Sequence, residues 1–147
     1  MGDILSVELK NTEYYLEFVK KFQDCSLPFQ EWTHQAHLLV GLYHVINHNE
    51  KALELMRQRI TKYNSSKGII NSDNSGYHET ITVFWLWVIK KYLEVSKSKA
   101  FNSETIECLL NSEFADSKFP LVYYTKEHLM SVQARQNWIE PDLRKLD

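Results

Sequence analysis

A chain of 147 residues, 44% hydrophobic and 24% charged, has the size and composition of one folded domain. It can bury about 68 to 70% of its unfolded surface, so it needs no disulfide or structural metal to stay together. A net charge of −2, with Lys20-Lys21 and Lys90-Lys91 as scattered basic pairs, excludes the clustered cationic footprint of a nucleic-acid binder.

At the N-terminus, Gly2 to Ser6 formally fits a myristoylation pattern that the acidic Asp3 weakens. The start also lacks the basic and apolar stretches of a secretory leader. The longest apolar run, Ile81 to Ile89, falls far short of the roughly 20 residues that span a bilayer. A cytoplasmic protein with no membrane or nucleic-acid partner is expected, with Cys25 and Cys108, which lie in no Cys-x-x-Cys context, as buried thiols.

Few residues are Gly or Pro, and no alternating strand pattern is evident, which predicts an all-α fold: a single-domain bundle over residues 1–147 with about five to six helices, two of them central and apolar. The first helix is expected over Thr12 to Asp24, with Tyr15, Phe18, Val19 and Phe22 on one face, and Ser26-Leu-Pro28 ends it. A second starts between Phe29 and Thr33 and runs to about Asn47, apolar on most sides through Leu38, Leu39, Leu42, Val45 and Ile46. Asn49 can cap a third from Glu50 to about Tyr63, and Asn64 to Gly76 reads as a loop. The fourth, from near Tyr77 to about Ser96, is the other central helix. Asn102 can cap a fifth to about Asn111, with Phe101 and Ile106 as a hydrophobic staple. Thr125 can cap a sixth reaching Arg135, after which the tail Trp138-Ile-Glu-Pro-Asp142-Leu143 is apolar enough to wrap back on the bundle.

Chemistry concentrates in the second helix, where His34, His37, His44 and His48 project within an arc of roughly 80° at about 100° per residue. Three residues apart, His34 and His37 are neighbours on one surface and can converge on one ion. With Thr33 as N-cap, the helix dipole disfavours the imidazolium form of His34, keeping it neutral. His44 lies about 15 Å further along the axis and belongs to another place. His78 is expected on the face of the fourth helix shared with Ile81, Trp85 and Ile89. If the N-terminal ends of the two central helices meet, His34, His37 and His78 form a three-histidine metal site with an open position.

The expected cofactor is then a divalent transition metal (zinc, iron, nickel or copper), with Glu79 or Glu31 orienting a ligand or moving a proton. Arg135, Tyr124 and Trp85 are the expected ligand-binding residues, the guanidinium suited to a carboxylate. Named motifs fail: Thr82 stands where His-Glu-x-x-His needs its second histidine, and Glu31-x-x-His34 has no second copy for a di-iron centre.

The segments Trp32-Thr-His-Gln-Ala-His-Leu38, Tyr77-His-Glu-Thr-Ile-Thr82 and the tail from Tyr123-Tyr-Thr-Lys-Glu-His-Leu129 through Ser131-Val-Gln-Ala-Arg-Gln-Asn-Trp-Ile-Glu-Pro-Asp142 resemble the motifs of a small, uncharacterised bacterial helical family. The resemblance implies a bacterial cytoplasmic helical protein and lends no activity. The functional expectation therefore comes from the residues: a metal-dependent enzyme or metal-binding protein acting on a small intracellular molecule through His34, His37 and His78. The alternatives are a metal-free module binding a small anionic or aromatic ligand, and an interaction domain, including a homodimer, whose histidines are structural.

Overall fold

The computed structural model describes residues Lys10 to Asp147, so the Gly2 to Ser6 pattern lies outside the described residues. Five α-helices of eight residues or more appear in chain order: α1 (Thr12–Gln23), α2 (His34–His48), α3 (Ala52–Ser66), α4 (Glu79–Val95) and α5 (Ser103–Leu110). Two single-turn helices follow, α6 (Lys126–Leu129) and α7 (Val132–Gln136), and 3₁₀ turns occupy Phe29–Glu31, Asn49–Lys51, Glu113–Ala115 and Phe119–Val122. No strand occurs among the described residues. The fold is the expected all-α bundle.

Helix starts follow the capping chemistry of the sequence. Asn11, Thr33, Asn102, Thr125 and Ser131 each accept a hydrogen bond from a first-turn backbone N–H, satisfying a donor that helix geometry leaves unpaired. Two caps so close together split the expected helix from Thr125 to Arg135 at Met130 and Ser131. Asn49 does not cap the third helix. It closes α2 at φ +36, and α3 begins after the intervening 3₁₀ turn with no side-chain cap.

At the end of α1, Cys25 adopts φ 66 while its N–H bonds to the carbonyl of Phe22 and the Ser26 N–H bonds to that of Lys21. This is the bonding of a Schellman close, in a position that ordinarily takes glycine. The expectation of two buried thiols is corrected here: Cys25 is half-buried at that turn and Cys108 is exposed on the outer face of α5.

The apolar core forms around α2, with Phe22, Leu27, Leu38, Leu42, Tyr63, Ile89, Ile106 and Leu109 almost fully buried. Burial contributes roughly 1.5 to 3 kcal/mol for each large apolar side chain. A second cluster, built on Phe84, Val88, Tyr123, Tyr124 and Leu129, holds the C-terminal layer against the other side of α4, and Trp85 and Phe114 pack against both. The tail does wrap back. The Leu143 N–H bonds to the Tyr123 carbonyl, the Tyr124 hydroxyl donates to the Ile139 carbonyl, and the Asp142 carboxylate accepts from Thr125 N–H and Oγ1.

α2 and α4 are the central pair. His34 meets Trp85 while Gly41 meets Leu86 and Ile89, so the two helices run in the same direction. Gly41 permits the close approach: a Cβ there would come within 2.8 Å of Ile89 Cδ1. That atom is the end of a flexible side chain, so Gly41→Ala should leave stability within about 1 kcal/mol, the gain in helix propensity offsetting the crowding. Gly41→Leu should cost about 1 to 3 kcal/mol through overpacking, read as a lowered midpoint in urea.

His44 is fully buried between α2 and α3. Its Nδ1–H donates to the Val40 carbonyl and its Nε2 accepts from Arg59 Nη1 at 2.6 Å, so the ring is neutral and both nitrogens are used. Burial, then the Arg59 charge, pushes its pKa down to about 4. An unfolded histidine takes up a proton near pH 6.5 and this folded one does not. Stability should therefore fall as pH drops from about 6.5 to about 4, by on the order of 3 kcal/mol from this residue alone. Urea unfolding across that range, with His44→Leu flattening part of the slope, checks it.

Candidate ligand site

Thr33 stops the chain from continuing as a 3₁₀ turn and starts α2, which places His34 in its first turn and His37 one turn on. Because α4 runs alongside, Trp85 and Ile81 face these two rings. His34 lies 4.7 Å from Trp85, centroid to centroid, and His37 stacks on Trp32 at 3.8 Å. The C-terminal layer supplies the opposite wall through Pro120, Leu129 and Met130. Together they line a half-open cavity of about 510 Å³ with Lys118 and Lys126 at its border. Such a volume is in the range of small-molecule sites.

Both imidazoles are held neutral. Burial pushes His37 down to about 4, and its Nδ1–H donates to the Thr33 carbonyl at 2.7 Å. That bond leaves Nε2 as the unprotonated nitrogen of the neutral ring. Burial also lowers His34, opposed in part by the Ala115 backbone and the Asp116 charge. His34 Nε2 is buried and has no hydrogen-bond partner within the protein.

His78 takes a different place from the one expected. Helix α4 begins at Glu79, so His78 is its N-cap and its ring turns back along the chain. Its Nδ1 accepts from the Ile81 N–H at 3.1 Å, and its Nε2–H donates to the Leu129 carbonyl at 2.8 Å. Both ring nitrogens are engaged within the protein. Burial, with Arg135 nearby, holds its pKa down against the Leu129 bond. Among the described residues no three His, Cys, Asp or Glu side chains gather in a metal-binding group.

The remaining expected residues are distributed around this core. Glu79 is buried and pairs with both arms of Arg57, and the Tyr77 hydroxyl donates to it at 2.7 Å. Burial pushes that carboxyl up, but Arg57 and Tyr77 outweigh it and hold the group below the usual range. Glu31 is exposed in the 3₁₀ turn and borders a separate groove beneath α1. Arg135 Nη1 donates to the carbonyls of Gly76 and, more weakly, Tyr77. It anchors the 67–77 loop and does not line the cavity. Tyr124 is fully buried, its hydroxyl spent on Ile139, so it supports the wall from behind.

Of the residues named from the sequence, His34, His37 and Trp85 thus come together. Lys118, Lys126 and Leu129 were not singled out. Lys126 follows directly after the Thr125 cap, a visible signal. Lys118 had none, because its place depends on how the 3₁₀ turns fold.

Comparison with known protein families, with curated proteins and with solved structures finds no match for this chain. No helix among the described residues is long and apolar enough to cross a membrane.

The two hydrogen bonds made by His78 predict the effect of its loss. His78→Ala should destabilise the fold by about 2 to 3 kcal/mol, the sum of a lost cap and a buried carbonyl left unpaired. His78→Asn, which can still cap, should recover about 1 kcal/mol of this in chemical denaturation.

Proposed function

We propose that this protein binds a small, largely apolar molecule bearing one acidic group, with the acid beside His34 and the apolar body against Trp85, Ile81, Leu129 and Met130. The observation that carries this reading is the neutral imidazole of His34 lining a cavity otherwise mostly apolar; its Nε2 is shielded from the cavity and has no partner inside the protein, so a turn of the ring brings an unused nitrogen to a guest. A carboxylate or similar oxyanion would pair with the turned ring, and Lys118 and Lys126 at the border supply the charge that draws it in and offsets the nearby Asp116. Trp85 offers a flat apolar wall at low entropic cost.

A divalent transition metal is the other occupant that the two imidazoles would take. It would have to draw on His34 and His37 while His78 keeps its present bonds, and the lysines would then disfavour the ion. The acid is therefore the better fit.

Titration calorimetry with octanoate and phenylacetate tests the proposal. At least one should bind with a saturable isotherm, His34→Ala should weaken it about tenfold or more, and Lys118→Ala with Lys126→Ala should reduce both affinity and salt dependence. An anion beside His34 raises its lowered pKa, so binding should take up protons, and affinity should rise as pH falls from 7 toward 6. Paired titrations in buffers of different ionisation enthalpy read that uptake. Absence of acid binding together with stoichiometric Zn²⁺ binding, lost in His34→Ala, would replace the acid with the metal.

A further inference from the structure

On the far side of His37 and Ile81 lies a second cavity of about 340 Å³, which shares those two side chains with the first. Its chemistry is different. Phe29, Trp32, His37 and Tyr77 present rings to it, with Ile60 and Ile69 among the remaining walls, and no lysine or arginine lines it. Apart from His37 Nε2 and Asn64 Oδ1, which can only accept, its polar side-chain groups are already engaged. The Tyr77 hydroxyl donates to Glu79, Thr82 Oγ1 to the His78 carbonyl, and Asn64 Nδ2 to Asn71 Oδ1, while both His78 nitrogens are in use. A charged guest would lose its hydration here and meet no counter-charge. An apolar ring would meet ring faces and branched aliphatic edges, the surroundings in which offset and edge-on aromatic packing is favourable.

The mouth also suits a guest. Phe29 is 48% exposed in the 3₁₀ turn before α2, a large apolar side chain left beside a concave apolar surface. Opposite it, the 67–77 loop is pinned by Asn71, whose Oδ1 accepts from the Tyr77 N–H and whose Nδ2 donates to the Thr61 carbonyl. The wall is thus built in advance of any ligand.

We propose that this cavity is a second binding site, for a flat, uncharged aromatic ring, adjoining the acid site and separated from it by the His37 and Ile81 side chains. It rests on its own lining, so it stands or falls apart from the acid reading.

Methyl NMR with labelled Ile, Leu and Met separates the two sites, because Ile60 and Ile69 line only the second cavity and Leu129 and Met130 only the first. Indole, the probe, should shift the Ile60 and Ile69 methyl signals with saturation. Benzylammonium and phenylacetate should leave those two signals unmoved at the same concentrations. Ile69→Trp, which fills the cavity, should weaken indole at least tenfold. Phe29→Ala, a change at an exposed ring that leaves the core intact, should weaken it severalfold. Indole shifts that do not saturate, that fall only on Leu129 and Met130, or that keep their affinity in Phe29→Ala would overturn the proposal.

Discussion

The arrangement of the end of the bundle that carries both cavities depends on the ring of His78. A neutral imidazole offers one donor and one acceptor on opposite edges, and here each is matched: the acceptor closes the start of α4, and the donor holds the Leu129 carbonyl from the C-terminal layer. A Ser, Thr or Asp cap would satisfy the helix and could not reach across to Leu129. The imidazole therefore fixes two separate segments at once, and it does so in a single tautomer. Ile81 and Leu129, which both line the first cavity, are held in place by it.

The parallel packing of α2 on α4 supplies the other half. Because the two helices run in the same direction, their first turns lie at the same end of the bundle, and with the close approach at Gly41 His34 and His37 look onto Trp85 and Ile81. Burial then keeps the imidazoles uncharged. The result is a half-open cavity poised between polar and apolar: two neutral imidazoles set among mostly apolar walls, with lysines at the border.

Much of this was legible in the residues and some was not. The helical class, the two apolar central helices, the Asn102 and Thr33 caps and the return of the tail follow from local pattern, and the structure carries all of them. The pairing of His34 with His37 also follows, since spacing on one helix decides it. What pattern did not show was the role of His78. Its three-residue offset from Ile81 reads equally well as an inward helix position or as a cap, and only the location of Leu129, 51 residues on, distinguishes the two. Arg135 and Glu79 are similar cases. Their residue types suit a ligand, but Arg135 is taken by the Gly76 and Tyr77 carbonyls and Glu79 by Arg57, partners that sequence distance conceals.

The C-terminal layer has a consequence for how the chain comes to be made. Residues 119 to 143 form one wall of the first cavity and are secured by bonds from Thr80 to Asn137 and Ile139 and from Thr125 to Asp142. Until that stretch has emerged from the ribosome, Phe84 and Val88 lack their cover, and Ile81 and Trp85 are covered only on the side toward α2. A nascent or truncated chain ending before it would present that greasy strip to its neighbours, so quality-control factors should meet this protein as an unfinished α4 surface rather than as an unfolded coil.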